Sequence, residues 1–241
     1  MKIIAHRGYS ARYTENTLSA YHAAIDVGCD MIEADARLSA DGIIFCTHDA
    51  NLTRIAGQNI EIAATCAQDL RGIRLIDGER LATLEDVIAE CGARIPILVD
   101  VKTTDTAVID AIVRVVRASG AKDIWVGVRA VTQCERLSIL APSVPVLAFL
   151  PRYEDAAAFQ VAGARAFRVW EGDLAAGVHK SLPWDRPFWV TTGGRGTNQE
   201  VGDTDEGGLA TVAASGAEAI LMNDPFLARQ SLHLATVSDK G

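Results

Sequence analysis

Eight short runs rich in β-branched and apolar residues alternate with segments of helical period along almost the whole chain. No other feature constrains the fold as tightly. The strand-like runs fall near 2–6, 31–37, 95–101, 124–128, 145–149, 165–169, 187–191 and 218–222. The helical segments fall near 15–28, 83–91, 104–119, 131–140, 153–162, 173–181, 205–215 and 225–233. In 104–119, Ala107, Ile109, Ile112, Val113, Val115 and Val116 form a broad apolar face, Thr104 and Asp105 are capping candidates, and Gly120 ends the helix. A strand–helix–strand repeat builds parallel pairs. Eight repeats in 241 residues predict a (β/α)8 TIM barrel. The open doubly wound sheet is the rival, but no G-x-G-x-x-G follows the first strand, which weakens its dinucleotide-binding form. One long gap, 38–94, holds a hairpin continuation (Gly42-Ile43-Ile44-Phe45-Cys46) and a polar segment at 50–82. That segment reads as a small insertion after strand two, on the barrel mouth, leaving 1–241 as a single domain.

Composition narrows the partners. Hydrophobic residues are 49% and charged residues 22%, which excludes a disordered chain. The net charge of −8 argues against nucleic acid or an anionic membrane surface as a general partner. Any bound anion must therefore meet local positive charge. The five cysteines (Cys29, Cys46, Cys66, Cys91, Cys134) form no C-x-x-C, so they read as buried free thiols in a reducing, cytoplasmic setting. The start, Met1-Lys2-Ile3-Ile4-Ala5-His6, has no secretory pattern, and no apolar run reaches about 18 residues, so stable membrane insertion is not expected. The end, 234–241, reads as a loose tail.

In a barrel of this kind chemistry sits at the C-terminal ends of the strands. The first strand ends at His6-Arg7-Gly8. The second carries Glu33 and Asp35, two apart and so on one face. Two carboxylates that close repel unless a proton or cation lies between them, and a hard divalent ion is the natural resolution. The alternative is a solvated strand end with Arg37 as counter-ion. His48-Asp49 follows. The third strand ends Asp100-Val101-Lys102, another same-face pair, which by itself could be a local ion pair. Together these deliver carboxylates for a metal, cations for a phosphate and two histidines for acid and base. That set suits phosphoryl transfer at a diester.

The ordered motifs His6-Arg7-Gly8, Glu15-Asn16-Thr17, Ile32-Glu33-Ala34-Asp35, His48-Asp49 and Asp100-Val101-Lys102 resemble the glycerophosphodiester phosphodiesterase family. Thr83-Leu84-Glu85-Asp86-Val87 continues the likeness. It reappears weakly at Trp189-Val190-Thr191, at Gly216-Ala217-Glu218-Ala219-Ile220 and at Asn223-Asp224-Pro225. The resemblance implies a metal-dependent phosphoric diester hydrolase that releases an alcohol and glycerol 3-phosphate. It implies Glu33, Asp35 and Asp100 as ligands of a divalent ion, Mg2+ or Ca2+ given the oxygen donors. His6 and His48 become the acid–base pair, and Arg7 and Lys102 hold phosphate oxygens. Glu15 and Trp189 are further candidates to touch the bound groups. Asn16 either supports the loop or caps the next helix. The partner is a small-molecule phosphodiester; self-association stays open.

The sequence also departs from the family. Asp100 stands where Glu is usual, as it does in a sphingomyelinase D-like branch. Val128-Arg129 replaces Ser-Phe, and Val190-Thr191-Thr192-Gly193-Gly194-Arg195-Gly196 replaces the usual run after Trp. Arg129 and Arg195 read either as ordinary loop residues or as readers of a charged or sugar alcohol. A lysophospholipase D-like or sugar-phosphodiester hydrolase is the first alternative, with Leu52, Ile55, Ile60, Ile62, Leu70, Ile73, Leu75 and Ile76 as a lipid-facing rim or a packed lid. An enolising barrel enzyme and a catalytically silent phosphate-binding barrel are the others. Trp125, Trp170, Trp184 and Trp189 could line a pocket or a subunit contact.

Overall fold

The computed structural model describes residues 1–183 and 185–238, so Trp184 and 239–241 lie outside it. The strands are β1 (Lys2–Ala5), β2 (Met31–Leu38), β3 (Ile44–Cys46), β4 (Ile97–Val101), β5 (Ile124–Val128), β6 (Val146–Ala148), β7 (Ala166–Trp170), β8 (Phe188–Thr191) and β9 (Ala219–Met222). Eight of them pair in parallel in the order β1-β2-β4-β5-β6-β7-β8-β9, and β9 pairs back to β1. The ring is closed, as a (β/α)8 barrel requires. β3 lies outside it, antiparallel to β2, as the hairpin continuation predicts.

The helices are α1 (Leu18–Asp26), α2 (Thr53–Ala56), α3 (Ala67–Gly72), α4 (Leu84–Cys91), α5 (Ala107–Ser119), α6 (Val131–Leu140), α7 (Ala156–Val161), α8 (Glu206–Ala214) and α9 (Pro225–Ser238). α4 opens with a reciprocal cap between Thr83 and Asp86. α5 ends at Gly120 in the left-handed region, as expected. Its start differs: Thr106 is the cap residue, and Asp105 accepts from the Ala107 amide. The helix predicted over 173–181 is absent. Short 3-10 turns at Glu171–Asp173 and Val178–Ser181 replace it, separated by Gly177 at φ +72°. The predicted tail is also shorter, because α9 continues to Ser238.

Apolar packing falls into three groups. A large shell lies between the ring and the helices, including Ile97, Val99, Ile112 and Val126. A second group fills the barrel interior, with Ile4, Met31, Leu98, Leu147 and Trp189 at its centre. The third belongs to the insertion: Leu52, Ile55, Ile62, Leu70, Ile73 and Leu75 pack with Phe45 and Leu81. Those side chains face one another rather than solvent; Ile76, at 74% exposed, is the exception.

Candidate active site

Strand pleating positions the site. Inward-facing residues alternate along each strand, and each series changes from apolar to polar as it rises. Ile4 is followed by His6, Met31 by Glu33 and Asp35, and Leu98 by Asp100 and Lys102. On the opposite wall Ala166 is followed by Arg168 and Trp170, and Trp189 by Thr191. A cavity of about 230 Å3 opens above the apolar layer, with His6, Arg7, His48, Lys102, Arg129 and Arg168 among its walls.

The turn after β1 is shaped by backbone conformations that side chains rarely adopt. Arg7 (φ +61°) and Asn16 (φ +59°) are the described non-glycine residues with positive φ, and both lie here. The arrangement is over-determined by hydrogen bonds. The Arg7 amide donates to Glu33 Oε2 at 2.7 Å, and the Asn16 amide donates to the Arg7 carbonyl at 3.0 Å. Gly8 is required: a Cβ there would lie 2.7 Å from the Ala20 carbonyl carbon. Asn16 is not the helix cap. Thr17 caps α1, accepting from the Ala20 amide. Asn16 instead donates to Asp35 Oδ2 at 2.9 Å and accepts from the Asp35 amide and the Tyr21 hydroxyl. Its side chain is long enough to span to β2, and that is what fixes the Asp35 carboxylate.

Glu33, Asp35 and Asp100 each bring a carboxylate oxygen within 4.8 Å of the other two. All three are buried. The solvated strand end is thereby excluded, and Arg37 donates to the His48 carbonyl instead of serving as their counter-ion. Lys102 bridges the cluster, with its Nζ 2.6 Å from both Asp35 Oδ1 and Asp100 Oδ2. Burial alone would depress the Lys102 ammonium, but Asp100, Asp35 and Glu33 outweigh it and hold it charged. Burial would likewise raise Asp35; Lys102 and Arg7 overcome it and keep Asp35 ionised. Glu33 goes the other way. Burial, reinforced by the Asp35 charge, lifts its carboxyl well above the ordinary range. Its Oε1 is buried without a hydrogen-bond partner. An orphaned carboxylate oxygen beside two further carboxylates fits a hard divalent cation. Asp100 enters this set already paired, since Arg129 Nη1 donates to its Oδ1 and Nη2 to its Oδ2 at 2.9 Å.

The two histidines sit on different supports. His6 Nδ1 lies 2.8 Å from Asn223 Oδ1. Asn223 Nδ2 donates to the Val201 carbonyl and to Asp203, so its oxygen is the acceptor and His6 Nδ1 carries the hydrogen. His6 Nε2 is then left with its lone pair. Burial, then the neighbouring Arg7 charge, lowers the His6 pKa to about 4. His48, half-exposed, lies 2.8 Å from Asp49 through Nδ1. Burial and Lys102 lower its pKa, while Asp35 and Asp49 pull it upward.

Other expected residues fall elsewhere. Glu15 lies outside the carboxylate cluster. It accepts from Arg7 at 3.0 Å and takes a two-point contact from Arg54 on α2, so it aims Arg7. Trp189 does not reach the cavity. It is fully buried one pleat lower and packs against Trp125, ring centroids 4.6 Å apart. Arg195 is more than half exposed and pairs with Asp173. Arg129, by contrast, is in the site. Trp170 lines the cavity, as one of the tryptophans that could line a pocket; Arg168 and Phe149, which no motif singles out, complete the wall across from β2. The available signal was Arg168 itself, a charge at an inward-facing position of the otherwise apolar run 166–170.

Fold and site together define a (β/α)8 barrel whose mouth holds a carboxylate cluster, two histidines and the cations Arg7, Lys102, Arg129 and Arg168. A profile of the glycerophosphoryl diester phosphodiesterase family matches residues 6–169, and the chain belongs to that family. It is 29% identical over 127 residues to lysophospholipase D GDPD1 of Rattus norvegicus, a match covering 47% of this chain and 40% of that protein. The chain thus spans well under half the length of that curated relative. A glycerophosphodiester phosphodiesterase of Agrobacterium tumefaciens superposes with a TM-score of 0.76 at 21% identity, covering 95% of this chain and 99% of that one. An Oleispira antarctica phosphodiesterase, solved with its product sn-glycerol-3-phosphate, superposes at 0.82 with 19% identity, covering 97% of each chain. At those identities the superpositions speak for the fold.

Proposed function

We propose that this protein hydrolyses a glycerophosphodiester to an alcohol and glycerol 3-phosphate. The observation that carries the reading is the buried cluster of Glu33, Asp35 and Asp100 beneath two histidines, in a chain of this family. Glu33 and Asp35, with Asp100 beside them, would hold a divalent metal, Mg2+ or Ca2+. When bound, that ion supplies Lewis-acid neutralisation of the phosphate charge. Arg7 and Lys102 bind and orient the diester oxygens. His6 is the base: its Nε2 lone pair takes the proton of the attacking oxygen as that oxygen bonds to phosphorus, the attacker being a water or a neighbouring hydroxyl of the substrate whose cyclic phosphate a water then opens. His48 is the acid: burial and Lys102 hold its pKa below the ordinary value, so the proton it gives the leaving oxygen, as the bond from phosphorus to that oxygen breaks, comes from the imidazolium that forms against Asp49. The Asp49 carboxylate on Nδ1 supports the imidazolium. Asn223 and Asp49 fix the two ring orientations.

A small soluble diester suits the site better than a lysolipid, because the insertion's apolar side chains mostly pack on one another and do not rim the cavity. No helix among the described residues is long and apolar enough to cross a membrane. We read 1–241 as one domain, and the unpaired cysteines favour the cytoplasm.

The test is metal-stripped protein given glycerophosphoethanolamine or glycerophosphoglycerol, with Mg2+, Ca2+ or Mn2+ returned singly. Metal-restored release of glycerol 3-phosphate is expected. His6→Ala and His48→Ala should each lower turnover by about a hundredfold or more. Near-normal turnover in either variant would remove that histidine from the chemistry.

A further inference from the structure

The wall opposite the carboxylates holds a buried positive charge with no counter-ion among the described residues. The side chain of Arg168, a residue 8% exposed, makes no hydrogen bond or ion pair among the described residues, and its Nε is buried and unpartnered. Its guanidinium lies 3.9 Å from the Trp170 ring centroid and 5.3 Å from that of Phe149. Arg129 lies 4.6 Å from the same Phe149 centroid, so the ring sits against both guanidiniums. Gly127 makes that possible, since a Cβ there would stand 2.3 Å from Phe149 Cε2. The carboxylate that could compensate, Asp100, is taken by Arg129 and Lys102. Burial and the Arg129 charge lower the Arg168 pKa to about 10, which still leaves it cationic at neutral pH. A buried charge facing a cavity without a partner is unfavourable unless a ligand completes it. The two rings attract the guanidinium through their faces but accept none of its N–H hydrogens, which stay free for a carboxylate or phosphate.

Position decides which group that is. β7 stands four strands from β2 in either direction around the ring. The scissile phosphate, on the proposed function above, lies with Arg7 and Lys102 at the ends of β1 and β4. We infer that Arg168 forms a second anion subsite, and that the preferred diester carries a further carboxylate or phosphate on its alcohol. This rests on the hydrolytic reading for the first phosphate and extends it to the substrate class.

Two matched pairs test it on the metal-loaded protein. Glycerophosphoserine differs from glycerophosphoethanolamine by a carboxylate. Bis(glycerophospho)glycerol differs from glycerophosphoglycerol by a glycerophosphate unit, which carries the second phosphate. The anion-bearing member of at least one pair should have a kcat/KM higher by about tenfold, carried mainly in KM. The pair that shows it tells carboxylate from phosphate. Arg168→Gln should bring that ratio close to one and Arg168→Lys should keep part of it, whereas a purely structural role would lower both members alike. Ratios near one in the unaltered protein, or a ratio that survives Arg168→Gln, would overturn the subsite while leaving the hydrolytic reading intact. If no diester is cleaved, the hydrolytic reading fails. Calorimetry on the same four uncleaved compounds then reads the subsite, and equal affinities within both pairs would overturn it.

Discussion

Glu33 is the residue at which stability and function oppose each other most directly. Its carboxylate is buried, has one oxygen without a partner, and faces Asp35. Because its folded pKa lies above the ordinary value of 4.5, its contribution to stability is complete below about pH 4.5 and is lost as pH rises through the folded value. Chelator-treated protein should therefore lose stability with rising pH, and Glu33→Gln should lose less. At pH 7.5 that variant should melt about 2–8 °C higher than the unaltered protein, equivalent to about 1–2 kcal/mol, and should gain less on adding Mg2+ or Ca2+. A lower Tm for the variant would mean that the carboxylate is stabilising without a cation. Glu33 and Asp35 were legible because i, i+2 spacing on a strand needs no further information. Arg168 was not, since a single arginine in a strand carries no pattern until the packing shows that nothing answers its charge. Glu15 was legible as important but not in its role, because motif spacing does not reveal that Arg54 would come from the insertion to claim it.

At the scale of elements, the turn from β1 into α1 carries the tightest backbone requirement. Gly8 has φ +79° and abuts the backbone of Ala20. Gly8→Ala should destabilise the protein by about 1–3 kcal/mol through left-handed strain plus the contact with α1. It should also lower kcat/KM, since Arg7 cannot keep its place if the turn shifts. Thermal melting and kinetics on one preparation check both, and an unchanged Tm would show that α1 yields at no cost. Strands and most helices were readable from period and punctuation. The helix expected over 173–181 was not there because Gly177, in the left-handed region, interrupts a segment whose apolar period is short. Trp189 was misplaced for a related reason: sequence gives the face of a strand residue but not its height, and one pleat separates it from Thr191 at the cavity.

For the whole molecule, the insertion has its own apolar cluster yet touches the site through a few polar contacts. Arg54 pairs with Glu15 and Asp49, Thr14 donates to Asp77, and Ser19 donates to Glu79 at 2.6 Å. A separate core with polar seams opens as its own unit. In native-state hydrogen exchange, the amides of α3 should lose protection at lower denaturant than those of β4 and β5. Coincident loss would show one cooperative structure. The barrel itself carries a further consequence in its alternation of layers. Moving β2 by one residue against its neighbours would turn Glu33 and Asp35 outward, into the apolar shell that receives Ile32 and Ala34. Two carboxylates would then meet hydrocarbon with neither Lys102 nor Arg7 in reach. The charges that equip the mouth thus also act as a proofreading device during folding, penalising the misaligned sheet long before any substrate arrives.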